Sequence, residues 1–171
     1  MKKRIHELTK NKSTKNTKAR SYTLDKYTNT QINKLTKNRQ IALLTIRLLL
    51  GFIFFFQGFG KIFKFGMENV YNNFFAETYK DVLPEFLLQA TAYYTSYVEF
   101  LGGILLIIGL KRDYTLYALA SVLIIVTFGH GLVAPIWDLS HVMYRAILLL
   151  ALLLLPKEWD QYRLDTLLKK K

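Results

Sequence analysis

Glu99, His130 and Arg145 are the side chains of this sequence best suited to acid–base and charge-stabilising chemistry, and all three sit in apolar runs. Glu99 stands alone in the stretch Val98 to Leu110, which carries no other charge. An acid at the middle of a membrane span costs roughly 2.5–3.5 kcal/mol on insertion scales, so it is rare and faces a partner. Gln57 and Lys61 near one apolar segment, and Tyr97 two residues before Glu99, complete a set of polar groups that a ligand with carbonyl or ionised oxygens would use.

The elements that position these groups follow from the hydropathy pattern. Four apolar segments run over residues 41–63, 90–110, 114–136 and 141–155. A helix needs about 20 residues to cross a bilayer core of about 30 Å, so the first three are long enough and the fourth is short. The fold class predicted is all-α, an integral membrane four-helix bundle. Met67, Val70, Tyr71, Phe74, Phe75, Tyr79, Val82 and Leu83 recur at three- and four-residue steps. This spacing predicts a short amphipathic outer helix between spans 1 and 2, ended by Pro84 and capping the bundle mouth.

In the first span, Arg47, Gly51, Phe54, Gly58 and Lys61 follow four- and three-residue steps and share one helix face. That face is too polar for lipid and is expected to point into the bundle, with Gly51 and Gly58 allowing close approach. Gly102 and Gly103 do the same for the second span. The expected depths put His130 level with Arg145 and Glu99 about a turn deeper, with Lys61 above. The pairing expected is Glu99 with Arg145, and His130 as a hydrogen-bonding neighbour. The alternative to a proton-handling role is a structural ion pair that fixes helix register.

Composition removes several function classes. The chain has 171 residues and no cysteine, so it carries no dithiol or thiolate-metal chemistry. His130 and His141 are offset along their spans and no metal motif appears, so no metal is expected. The net charge is +12, and residues 1–40 hold twelve of the twenty-four Lys and Arg but only Glu7 and Asp25 as acids. This basic segment reads as a disordered or loosely helical cytoplasmic tail that meets anionic headgroups. No nucleic-acid module is recognisable, and no nucleic-acid partner is expected. Lys111, Arg112 and the 157–171 tail are basic, whereas 64–89 and 137–140 hold more acids than lysines. The positive-inside rule then places both termini in the cytoplasm of a bacterial-type plasma membrane. Residues 41–156 form the membrane domain.

The pattern Arg47, Gly51, Phe54, Gly58, Lys61, followed by the segment ending at Leu83-Pro84 and by Glu99-x-x-Gly102-Gly103 through Gly109-Leu110, resembles the DoxX/DoxD-like family of small four-helix membrane proteins over about residues 41–155. Arg47, Lys61, Glu99, Gly102 and Gly103 are the positions that match. The resemblance implies a membrane subunit of an oxidoreductase or redox-linked complex, since some relatives are membrane subunits of thiosulfate:quinone oxidoreductase. It implies a quinone as ligand and a protein partner that supplies the redox centre. The other readings are a non-enzymatic assembly or partner-binding protein, and a small-solute or proton carrier.

Overall fold

The computed structural model describes residues 2–136, 138 and 140–168, with side chains from residue 26 onward. Trp137 and Leu139, which would lengthen the fourth span, and Lys169 to Lys171 lie outside the described residues. The chain divides into two units, residues 1–41 and 42–171.

The first unit is the N-terminal part of helix α1, Lys2–Phe59. The basic segment expected to be disordered or loosely helical is therefore helix. Lys and Arg are good helix formers, and Thr30 and Thr36 donate their hydroxyls to the carbonyls of Lys26 and Ile32 one turn back. That bond satisfies a threonine without breaking the helix. Every residue from 26 to 39 is exposed.

The second unit is a bundle of four helices: the remainder of α1, α4 (Glu85–Ile108), α5 (Arg112–Val133) and α6 (Ser140–Leu154). Three helices are long and apolar enough to cross a membrane: Lys26–Phe65, Glu85–Ile108 and Arg112–Val133. The chain is a membrane protein. At about 1.5 Å per residue, the 15 residues of α6 span only about 22 Å. The buried core runs through Leu50, Phe54, Leu106, Leu119 and Leu149.

Glycines set the closeness of α1 and α4. A Cβ on Gly58 would lie 2.3 Å from the Phe100 nitrogen, and one on Gly103 would lie 2.4 Å from the Phe55 nitrogen. The obstacle is backbone in both cases, so neither helix tolerates a side chain there without moving apart. Around this seam Phe55, Phe59, Phe63 and Phe100 stack or meet edge to face at 5.1–5.9 Å. Tyr94 and Ser121 share a hydrogen bond of 2.7 Å that ties α4 to α5.

Between α1 and α4 the chain stays helical but changes pitch. A π-helical stretch, Gly60–Phe65, leads into α2 (Met67–Val70), a second π-helical stretch, Tyr71–Ala76, and α3 (Glu77–Tyr79). Gly66 sits at φ 77°, a left-handed conformation that glycine adopts freely. The expected amphipathic stripe is present in part: Val70 and Tyr79 are buried, whereas Phe74 and Val82 are exposed. Tyr79 lies over Gly129 of α5. Burial raises the Tyr79 phenol above its ordinary value. Pro84 then opens α4 with a fixed φ of −67°.

At the opposite end, α4 terminates at Gly109, φ 72°, where the Gly109 and Leu110 amides donate back to Leu105. Pro156 follows α6. Beyond it come a 3₁₀ turn, Lys157–Trp159, and α7 (Leu164–Leu168). Residues 157–168 are folded onto this end of the bundle. The Lys111 amide donates to Asp165, and the Asp165 amide to the Gly109 carbonyl.

Candidate functional site

The first-span face is buried as a unit: Arg47, Gly51, Phe54 and Gly58 all lie in the interior. Lys61 continues this face from within the π-helical stretch. A π-turn widens the helix and re-aims the residues after it, and such turns recur at functional sites. Lys61 Nζ lies 2.6 Å from Glu99 Oε2, with the Glu99 side chain 2% exposed and that of Lys61 27%. The partner of Glu99 is thus Lys61, correcting the expected pairing with Arg145. The π-turn and the tight Gly58–Phe100 contact bring Lys61 down beside α4.

Arg145 is buried on α6, and it engages α1 instead. Its Nη1 donates to Gln57 Oε1 at 2.6 Å, its Nε donates to the His141 carbonyl, and its guanidinium lies 5.9 Å from the Phe54 ring centre. Arg145 thus meets the first span at Gln57, four residues before Lys61.

His130 and Tyr97 do not join this cluster in the way expected. His130 is exposed, and its Nδ1 lies 2.8 Å from the Val126 carbonyl of its own helix. Position 130 continues the α5 face of Leu119 and Leu123, but it lies in the last turns of the helix, where no residue after Leu123 is buried. Tyr97 is 44% exposed and stacks on Tyr93 at 6.3 Å. Gly102 faces Leu119 of α5, whereas Gly103 faces α1.

A groove of about 290 Å³ opens beside the pair, lined by Phe56, Gln57, Gly60, Lys61, Phe65 and Phe74. Phe65 and Phe74 meet edge to face at 5.8 Å, so the segment before α3 supplies one wall and α1 the other. Lys61 and Gln57 are the polar residues of this lining, whose exposed surface is almost wholly apolar. The Gln57 carbonyl oxygen accepts from Arg145. Gly60 has open space at its Cβ position. Among the described residues no cluster of His, Cys, Asp and Glu is arranged to hold a metal ion.

A second polar cluster, at the opposite end, was not foreseen as such. Asp160 is buried between Arg47 of α1 and Arg112 of α5, each 3.4 Å away. Arg47 also donates to the Leu106, Ile107 and Tyr162 carbonyls, and Arg112 to those of Leu152 and Leu155. Both guanidiniums thereby cap helix C-termini, where a cation meets the negative end of the helix dipole. This cluster holds the C-terminal segment in place. Lys157 and Asp113 add a half-exposed ion pair beside it.

A family model described as DoxX matches residues 42–131, more than half of the chain. The chain belongs to the DoxX family. The DoxX match takes in Arg47, Gln57, Lys61, Glu99, Gly102 and Gly103. Arg145 and Asp160 lie beyond it, so this DoxX protein completes both polar clusters with residues outside the matched region. Neither a curated protein nor a solved structure matches the chain.

Proposed function

We propose that this DoxX-family membrane protein is a membrane subunit of an oxidoreductase or redox-linked complex, and that its aromatic groove holds a quinone-like ligand. One observation carries the reading: Gln57 and Lys61, both donors, line a groove walled by Phe56, Phe65 and Phe74, with the buried Glu99 carboxylate directly behind Lys61. A quinone-like ring presents two carbonyl acceptors on a flat apolar body, which is the complement of that lining. Such a ligand supplies the acceptor for electrons and protons, and a partner protein supplies the electrons.

The chain's own residues then have distinct tasks. Lys61 and Gln57 hold and orient the ligand oxygens. Arg145 fixes the Gln57 amide and polarises it through the shared hydrogen bond. Glu99 holds Lys61 in place and is the group positioned to give or take a proton. Phe65 and Phe74, in edge-to-face contact, give the ring an apolar wall. The proposed orientation has both termini in the cytoplasm of a bacterial-type plasma membrane, because the 64–85 segment carries Glu68, Glu77, Asp81 and Glu85 against Lys64 and Lys80.

A partner-binding or assembly role is the second reading, favoured by the exposed basic helix that carries Lys26, Lys34, Lys37 and Arg39. A carrier role fits less well. Leu50, Phe54, Leu106, Leu119 and Leu149 separate the Lys61 end from the Asp160 end with apolar core.

The test is purification from native membranes in mild detergent, followed by donor-dependent quinone reduction by the co-purifying complex. The reading expects activity that falls at least about tenfold with Glu99→Gln while the complex stays intact. An intact complex with unchanged quinone reduction would favour the assembly reading.

A further inference from the structure

Helix α4 meets α1 through Gly103 and α5 through Gly102. A third side of it is turned outward. Phe86, Ala90, Tyr93, Tyr97, Leu101 and Ile108 follow one another at three-, four- and seven-residue steps, and all six are exposed. At about 100° per residue they form one stripe, about 33 Å long from Phe86 to Ile108.

Two members of this stripe are polar. Tyr93 and Tyr97 stack on each other at 6.3 Å, and among the described residues neither hydroxyl has a hydrogen-bond partner. Neighbouring hydroxyls of the same helix are satisfied. Tyr94 shares a bond of 2.7 Å with Ser121 of α5, and Thr95 and Ser96 donate to carbonyls one turn back at 2.9 and 2.7 Å. Tyr97 is the thirteenth of the 24 residues of α4, about 17 Å from either end. A helix of that length is only slightly longer than a bilayer core of about 30 Å, so the Tyr97 ring lies near mid-depth. A tyrosine at the membrane boundary wets its hydroxyl among the headgroups, and one at mid-depth does not. Leaving a hydroxyl unpaired in hydrocarbon costs free energy.

The chemistry of the stripe says what covers it. Lipid tails offer neither donor nor acceptor. A phenol is both, so two copies of one tyrosine satisfy each other. Copies inserted in the same sense and related by a twofold axis along the membrane normal bring equal residues together at equal depth. The three- and four-residue steps also keep two such stripes in contact along their length at a crossing angle of about 20°.

We propose that a second copy of this chain covers the stripe, with α4 packed on its counterpart and the Tyr93 and Tyr97 hydroxyls of each copy hydrogen-bonded to those of the other. This dimer stands whether or not the groove beside Lys61 holds a ligand.

The test uses the full chain, which has no cysteine, so single introduced cysteines report the contact. Under a membrane-permeant oxidant in native membranes, Phe86→Cys and Leu101→Cys are expected to give a disulfide-linked dimer. Ile124→Cys, on α5 and 69% exposed, is expected to give none. The dissociation constant is read separately, from energy transfer between copies labelled at the C-terminus as added lipid dilutes them in vesicles. Tyr93→Phe with Tyr97→Phe is expected to raise it about tenfold, the effect of losing two interhelical hydrogen bonds in a membrane. A chain that stays monomeric at every dilution overturns the dimer and leaves the stripe to a different membrane protein. Crosslinking through Ile124→Cys and not through the stripe cysteines overturns the assigned face. A dissociation constant unmoved by the two phenylalanines overturns the role given to the hydroxyls. The cysteine comparison keeps both tyrosines, so it decides the face whether or not the phenylalanine variant folds.

Discussion

Lys61 Nζ lies 2.6 Å from Glu99 Oε2, joining the π-helical end of the first span to the middle of the second. The two ends of this pair differ in exposure, and that difference makes their substitutions unequal. Lys61→Met leaves a carboxylate buried without its cation, at a cost of about 3 kcal/mol. Glu99→Gln leaves a lysine that can extend toward the interface, at a smaller cost of about 1 kcal/mol. The double substitution Lys61→Met with Glu99→Leu is expected to recover most of the loss. Reversible unfolding in mixed micelles, followed by circular dichroism, measures all three. A larger loss for Glu99→Gln than for Lys61→Met would contradict this account of the pair.

The glycine seam gives a second contrast. Alanine at Gly58 or Gly103 meets backbone of the facing helix at 2.3–2.4 Å, whereas alanine at Gly102 meets the flexible end of Leu119 at 2.9 Å. Gly58→Ala and Gly103→Ala are expected to destabilise by about 1–3 kcal/mol, and Gly102→Ala by less than about 1 kcal/mol. The same unfolding assay ranks the three. The groove should suffer with Gly58→Ala as well, because the shift that relieves the clash moves Gln57 and Lys61.

Asp160→Asn removes the shared counter-ion of Arg47 and Arg112. A loss of about 3–5 kcal/mol is expected, since both guanidiniums stay buried. The helix-capping bonds of the arginines to Leu106 and Leu152 remain, so the bundle itself should hold at low denaturant. The C-terminal segment should not. Limited proteolysis is expected to cut between residues 156 and 168 in the variant and not in the unaltered protein.

The start of α6 has a pH signature. Asp138 accepts the Ser140 hydroxyl at 2.6 Å and the Ser140 amide at 2.9 Å. The hydroxyl bond and then the amide bond hold its carboxyl below the usual carboxylate value. Because the folded value is depressed, the stabilising contribution is present above the ordinary carboxylate value and is lost as pH falls through the lowered one. Ser140→Ala is expected to move the Asp138 titration upward, read from its carboxyl carbon by NMR. No movement would mean that these bonds do not set it.

Much of this arrangement was legible in the residues themselves. The helical period alone brings Arg47, Gly51, Phe54 and Gly58 to one face, and that face is buried. Hydropathy alone marks the spans, since an 18-residue apolar run has few other homes. The partner of Glu99 was not legible. It depends on the rotation of α4 against α1 and on the π-turn at Gly60, and neither leaves a mark in the spacing of the apolar residues. His130 illustrates a related gap: it shares the α5 face of Leu119 and Leu123, but how far along α5 the neighbouring helices cover that face is decided by packing, and burial ends at Leu123. Asp160 was hidden differently. It lies in a short charged stretch with no apolar period, so it reads as solvated, and only Trp159 and Pro156 beside it hint at a docked segment.

The central claim is that the groove between Gln57, Lys61, Phe65 and Phe74 holds a quinone-like ring. Photoaffinity labelling of the full chain in lipid nanodiscs with an azidoquinone, followed by peptide mapping, tests it most directly. The account predicts labels concentrated on residues 56–74, competed away by unlabelled quinone and lost with Gln57→Leu or Lys61→Met. Labels scattered over lipid-facing residues such as Ile124, Phe128 and Ile147, and unchanged in those variants, would contradict it.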